Sequence, residues 1–445
     1  MPHSLFHSDT LELFIRDSAA FTNWKQANLE NLRICIDARI IDGIPGGIQQ
    51  FVQGLAAGLS KLKDEREEYY FLTYRNAYDW ITPYLDGRFQ ILSVPGPFPL
   101  SRFRSLFFSL PGNALLLKFL VPFMDHFKML IPASNGTAER SGIHILHFTM
   151  QNGFVTNIPS IYHPHDLLHL HYPHYLPEWV VKKREITYRK LCAQAKIVAT
   201  ASRWVKEDIK KHYHVAEEKL AVVPLAPMTE TYPNPSAEDL FNVKTKYRLP
   251  EHFIFYAAQT WPHKNHIGLL EGLSILRERN GIRIPFVSCG KKNDFFIAIK
   301  KKIDELNLNA HVQFLDFVTP IELSCLYKLC RCVVIPTKFE AASFLLWEAF
   351  QSGAPVACSN VTSLPRQAGR AALFFDPENL EEMTDAIQRL WCDEALRSNL
   401  ILEGYRRVQK YSWVNTAMRF RAIYRKISGR PLSEEDSMLL SSNLF

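Results

Sequence analysis

The sequence predicts an α/β fold built from two doubly wound domains that face each other across a central cleft. Three observations predict it. The chain has 445 residues and 47% hydrophobic content, more than one core usually supports. Short apolar runs alternate with helical patterns along most of its length, which argues for parallel sheets covered by helices on both faces. A Pro-rich polar stretch, "APMTETYPNPSAED", interrupts the alternation, which then restarts.

The elements follow in order. After an N-terminal extension (1–31), "RICIDARI" is the first strand, followed by "DGIPGG" and a helix-like "IQQFVQGLAAGLSKLK". "YYFLTY", "FQILSV", "IHILHF" and "KIVATAS" read as later strands of a first domain, residues 32–226. A linker spans 227–239. A second domain, 240–411, carries the strands "FIFYAAQ", "IPFVSCG", "VQFLDFV", "CVVIPT", "PVACS" and "AALFFD". A helix over 412–430 is expected to pack back on the first domain, and 431–445 is expected to be a tail. Such halves bind ligands in the crevice at the carboxyl ends of their strands.

Composition narrows the function. The net charge of +7 suits anionic lipid or phosphorylated ligands better than extended nucleic acid, so no nucleic-acid partner is expected. Eight cysteines without a C-x-x-C pair, several inside apolar strand-like runs, read as reduced thiols of a cytoplasmic protein. The N-terminus has no basic segment followed by an apolar one, so no secretory signal is expected, and no run approaches the ~20 apolar residues of a membrane span. The region 96–133 breaks the rhythm by mixing large apolar residues with Arg102, Arg104, Lys118 and Lys128. It reads either as helices packed on the first domain or as a surface that docks peripherally on a bilayer or a lipid-linked acceptor.

Chemistry concentrates in "KFEAASFLLWEAF", where Glu340 and Glu348 stand among Ala, Phe, Leu and Trp. Ionised carboxylates are costly to bury there without partners. "CVVIPT" should be a buried strand, "KFEAAS" the turn leaving it, and "FLLWEAFQSG" a helix ending near Gly353. The amides of that helix N-terminus would favour phosphates, and the flanking carboxylates could accept hydrogen bonds from sugar and ribose hydroxyls.

The E-x7-E pair followed by "GAPVACSNVTSLP" and "AALFFDP", together with "AQTWPHKNH", "VQFLDFV", "PHDLLHLHYP" and "DARIIDGIPGGI", resembles the GT-B retaining glycosyltransferases of the large family 4, the glycosyl transferases group 1. That family includes sucrose synthases and many bacterial mannosyl- and rhamnosyltransferases. The resemblance implies two Rossmann-like domains and a nucleotide diphosphate sugar as co-substrate, with no cofactor and no metal. It implies that Glu340 contacts the donor sugar, Glu348 the ribose and Lys264 the diphosphate, and that His165 lies beside the transferred sugar. Gly46 and Gly47 match the glycine-rich loop after the first strand. Gln259, Gly290, Phe317, Val318, Ala341, Ala342, Ser343 and Phe344 fall at donor-binding positions.

Several positions depart from the family. Ala341 and Ser343 replace glycines of the donor loop and Leu345 a proline, which predicts a different loop backbone or sugar preference, because non-glycine residues tolerate positive φ poorly. Gln259 replaces an arginine, Asp316 a glycine, and Arg366 a residue that is frequently acidic. His163, His165, His169, His171 and His174 invite a zinc reading, but there is no H-E-x-x-H and no neighbouring cysteine. "GIPGGI" lacks the G-x-G-x-x-G spacing of a dinucleotide site. The expectation is a retaining glycosyltransferase acting on a glycan or polyprenyl-linked acceptor in surface-polysaccharide assembly. The alternatives are a non-catalytic sugar-nucleotide-binding subunit and a GT-B sugar epimerase.

Overall fold

The apolar runs form strands because they are buried on both faces. In β1 (Leu32–Asp37) Ile34 and Ile36 enter one core while Cys35 enters a second, so the strand reads as nearly continuous hydrophobic sequence. The structure, a computed structural model, describes residues 31–40, 46–63, 66–96 and 131–441. Residues 1–30 of the N-terminal extension and 97–130 of the amphipathic region lie outside the described residues.

Around β1 the first sheet adds β2 (Glu67–Tyr74), β3 (Phe89–Val94), β4 (Ile145–Phe148), β5 (Ser160–Tyr162), β6 (Ile197–Thr200) and β7 (Leu220–Val222), in the order β3-β2-β1-β4-β5-β6-β7. The second contains β8 (Ile254–Ala257), β9 (Phe286–Cys289), β10 (Val312–Phe314), β11 (Cys332–Ile335), β12 (Val356–Ser359) and β13 (Ala372–Phe375), in the order β10-β9-β8-β11-β12-β13. Neighbouring strands pair in parallel in both sheets. Each strand order reverses beside its first strand, and such reversal points open crevices at the carboxyl edge.

The segment expected as a linker carries a 3-10 turn, Met228–Thr231, and the first turn of a helix, Ala237–Lys246, closed by a capping box between Ser236 and Asp239. The expected C-terminal helix runs from Trp413 to Ile427 and crosses the helix Gly47–Ser60 that follows β1. The tail does not stay irregular: Glu434–Ser441 is helical. Burying Asp436 is compensated by Arg425, whose Nη1 lies 3.0 Å from Asp436 Oδ2 and whose Nε lies 2.7 Å from Glu67 Oε1.

The crossing depends on two glycines. A Cβ on Gly54 would lie 2.0 Å from the Trp413 ring, and one on Gly58 2.1 Å from the Trp413 carbonyl oxygen. A backbone oxygen cannot move aside by changing rotamer, so Gly58→Ala should destabilise the fold by ~1–3 kcal/mol through overpacking. Helix propensity alone would give the opposite sign, stabilising by up to ~1 kcal/mol. Urea unfolding of the two proteins separates these outcomes, and an alanine variant as stable as the parent would contradict the packing.

Candidate functional site

A cavity of about 620 Å³ opens between the carboxyl edges of the two sheets. Its walls are the segments leaving β1, β4 and β5 on one side and β8, β9, β10 and β11 on the other. His165, Lys264, Glu340, Gly46, Gly47, Gln259, Gly290, Phe317, Val318, Ala341, Ala342 and Phe344 all border it. Ser343 and Glu348 do not.

Lys264 and Glu340 come from turns 76 residues apart, yet Lys264 Nζ lies 2.7 Å from Glu340 Oε2. Backbone bonds hold the two turns together. Lys264 sits in the 3-10 turn Pro262–Lys264, and the His263 carbonyl accepts from the Lys338 amide at 2.7 Å and from the Thr337 hydroxyl at 3.1 Å. Glu340 is clamped from below, since its carbonyl accepts from the hydroxyls of Thr362 and Ser363 at 2.6 and 2.8 Å. Both side chains are mostly buried, so the ammonium and the carboxylate replace for each other the solvation they lose. The neighbouring His263 is held neutral, its pKa lowered to about 3 by burial and by the Lys264 charge.

The loop expected to bind the donor accommodates Ala341, Ser343 and Leu345 without strain. None of Ala341, Ser343 or Leu345 has positive φ, and Ser343 takes φ −95° and caps the helix Phe344–Ser352 by accepting the Leu346 amide. Gln367 fixes the cap, accepting from the Ser343 amide at 2.9 Å and donating to its carbonyl at 2.6 Å. Thus the Ser343 amide is spent on Gln367 and is not available to an anion. The helix ends at Gly353 in the left-handed conformation, φ 74°, where the sequence places its stop.

Glu348 lies behind the wall. The sequence places it with the cleft carboxylates, but it is 2% exposed and accepts from the Tyr327 hydroxyl at 2.8 Å, while its Oε1 has no partner. Burial raises its pKa to about 7 against the Tyr327 hydrogen bond, which lowers it. Its charge opposes ionisation of Tyr232 and Cys289, both of which line the cavity, so it lies near the space without bordering it. The period of the helix reveals which residues share a face but not how deep that face is set.

The glycines differ in what they do. Gly46 has extended φ of −172° and caps the helix Gly47–Ser60. A Cβ on Gly46 would stand 3.7 Å from Gln259 Nε2, and one on Gly47 3.7 Å from the Phe344 ring, so this loop faces the second half across the cavity. Gly290 alone among these requires glycine, with φ 133° and a would-be Cβ 2.8 Å from the Ala258 carbonyl. Gln259 accepts the Trp261 indole N–H at 3.0 Å. Phe317 is 64% exposed, and Asp316 pairs with Lys292 at 3.1 Å.

His165 occupies a strained position, φ 68°, with Nε2 2.6 Å from the Thr149 carbonyl oxygen. A carbonyl only accepts, so Nε2 carries the proton and Nδ1 is left as an acceptor. Burial holds the ring neutral against the Thr149 bond, and His163 stacks on it at 4.2 Å. Among the described residues, one group could share a metal ion, His171, Asp208 and His212, and none of the three borders the cavity. Gln151, Asp166, Tyr175, Arg184 and Trp261 also border it. They were not selected from sequence, although Asp166 adjoins His165.

Two doubly wound halves meeting over a cavity at their strand ends define the GT-B class of fold. The family model "Glycosyltransferase Family 4" matches residues 45–226 and "Glycosyl transferases group 1" matches 239–407, and the chain belongs to this glycosyltransferase family. The chain is 27% identical over 252 residues to O-antigen chain mannosyltransferase B of Escherichia coli, a match covering 56% of this chain and 66% of that protein, just under two thirds. Sucrose-phosphate synthase from Thermosynechococcus elongatus superposes with TM-score 0.66 at 17% identity, over 90% of this chain and all (100%) of that one. Anabaena HepE in complex with UDP-glucose does so at 0.64 and 14%, over 89% of this chain and 100% of that one.

Glu348 gives a pH prediction. Its carboxyl has an ordinary value of 4.5 and a folded value of about 7, so between these the folded chain holds the proton that the unfolded chain has lost. Stability from this group is full below pH 4.5 and is lost as pH rises to about 7. Glu348→Gln removes that loss, so relative to the parent it should gain on the order of 2–3 kcal/mol between pH 5 and 8. Urea unfolding at both pH values checks this, and parallel pH profiles would contradict the burial of an acid here.

Proposed function

We propose that the protein transfers a hexose from a nucleotide diphosphate sugar to a glycan or lipid-linked glycan acceptor, with retention at the anomeric carbon, in surface-polysaccharide assembly. The observation that carries the reading is the Lys264–Glu340 pair in a cavity at the carboxyl edges of two parallel sheets. The donor diphosphate meets Lys264, whose charge is worth most as the leaving group gains negative charge. Released from Lys264, Glu340 accepts hydrogen bonds from sugar hydroxyls. The Nδ1 lone pair of His165 takes another hydroxyl, and the ring, being neutral, is not the acid of the reaction. Glu348 holds the ribose once the wall over it shifts. The acceptor attacks from the face the diphosphate leaves, and the departing phosphate oxygen takes its proton.

The relative named as an O-antigen mannosyltransferase supports a mannosyl or similar hexosyl transfer. The relaxed, Ser343-capped donor loop favours an enzyme over a binding subunit that has lost activity. No helix among the described residues is long and apolar enough to cross a membrane. This reading includes peripheral contact with a bilayer in the cytoplasm, with region 96–133 as its proposed seat. We assign no metal to the reaction, so turnover should survive EDTA, and loss restored by manganese would contradict the assignment.

The pair itself provides the sharper test. Lys264→Ala should lower kcat by ~2–4 kcal/mol of transition-state stabilisation and weaken nucleoside diphosphate binding. Glu340→Ala should also lower turnover, yet it removes a competitor for Lys264 and should tighten nucleoside diphosphate binding by roughly 2–5-fold, the equivalent of ~0.5–1 kcal/mol. Steady-state kinetics and calorimetry measure both, and equal losses of affinity in the two variants would overturn the roles.

A further inference from the structure

Next to His165 the cavity wall carries a polar network of three side chains from three elements. Gln151 Nε2 lies 3.3 Å from Asp166 Oδ2, Arg184 Nη2 donates to Gln151 Oε1 at 2.9 Å, and Arg184 Nη1 lies 3.7 Å from Asp166 Oδ1. The network is held from outside the cavity. The Tyr162 hydroxyl donates to the Gln151 carbonyl at 3.0 Å, and Asp166 Oδ1 accepts the Leu168 amide at 2.9 Å. Arg184 Nη1 is buried with no hydrogen-bond acceptor of its own, a cost that native sites rarely carry without a ligand or water.

Two aromatic rings border the same space. Tyr175 stacks on Tyr172 at 5.3 Å with 2° between the planes, and the Tyr172 hydroxyl donates to the Lys338 carbonyl at 3.2 Å, two residues before Glu340. Trp261, from the turn that carries Lys264, is 43% exposed, and its indole N–H is bound to Gln259. An exposed tryptophan held by its only donor offers a fixed apolar face.

We propose that Gln151, Asp166 and Arg184, walled by Tyr175 and Trp261, are the acceptor subsite, and that it takes a neutral hexopyranose at the growing end of a glycan. This rests on the glycosyltransferase reading above. A hydroxyl both donates and accepts, and the network offers a carboxylate acceptor, a guanidinium donor and an amide that does both. The charges of Asp166 and Arg184 cancel, so a phosphate would meet a carboxylate beside the guanidinium. A pyranose instead has an apolar C–H face for the rings and hydroxyl edges for the network. The location agrees with the chemistry. Asp166 follows His165 directly, and Gln151 is two residues beyond Thr149, whose carbonyl holds the His165 ring.

Saturation-transfer NMR on the full chain tests this with α1,3-mannobiose as probe, in the presence of saturating GDP or UDP, whichever binds by calorimetry. The expected result is mannobiose binding that weakens by at least about fivefold in each of Arg184→Lys, Asp166→Asn and Trp261→Ala, while nucleotide affinity changes by less than about twofold in the Arg184 and Asp166 variants. Asp166→Asn is nearly isosteric, so it tests the site even if the Arg184 variant fails to fold. Mannobiose binding untouched by all three changes, or displaced by equimolar inorganic phosphate, would overturn the subsite. Absence of mannobiose binding to parent protein that does bind nucleotide would also overturn it and leave the donor site standing. Mannobiose binding that the three changes weaken, without any nucleotide binding, would leave a sugar site but overturn the glycosyltransferase reading and with it the acceptor role.

Discussion

Trp413 is the side chain on which the arrangement of the two halves turns. Its ring fills the groove left by Gly54 in the helix after β1, its indole N–H donates to the Pro227 carbonyl at 3.1 Å, and its amide donates to Glu230 at 3.0 Å. The same ring lies 6.2 Å from Phe344, the first residue of the helix Phe344–Ser352, and 6.3 Å from Phe51. One fully buried residue therefore touches the helix Gly47–Ser60, the connecting segment and the helix Phe344–Ser352. Truncating such a side chain costs ~3–5 kcal/mol in typical cores. Here it would also loosen the register in which Gly47 faces Phe344 and Gly46 faces Gln259.

The second half by itself joins a cation and a carboxylate, and the register sets the first half across the cavity from them. The Lys264–Glu340 pair stabilises the unliganded site by giving each buried charge a partner, and it places both groups where an anionic ligand can exchange with Glu340. The exchange is economical because neither charge has to be desolvated anew when a donor enters. Glu348 is arranged differently. With one oxygen on Tyr327 and the other unpartnered, it is a buried acid behind the wall whose pKa burial raises to about 7.

Much of the fold was legible because parallel strands buried on both faces show as apolar runs, and "CVVIPT" or "IPFVSCG" needs no partner to be recognised. The helix stop at Gly353 was legible for a similar local reason. The pairing of Lys264 with Glu340 was not, since it depends on Thr337 and Lys338 bonding to the His263 carbonyl. Nor was the depth of Glu348, which Tyr327 sets from another helix. The donor loop looked anomalous by composition, and only the Gln367 bonds explain why serine serves there as a cap. Gln151, Asp166 and Arg184 escaped notice because each is unremarkable within its own segment. The helical tail was missed as well, because the Asp436–Arg425–Glu67 chain that holds it spans nearly the whole sequence.

The central claim is that Lys264 exchanges one anion for another when the donor arrives. A crystal structure of the protein with bound nucleoside diphosphate tests it most directly. The account predicts Lys264 Nζ on an oxygen of the terminal phosphate and Glu340 released toward the space where the sugar would lie. An intact Lys264–Glu340 pair, with the diphosphate held elsewhere in the cavity, would contradict it.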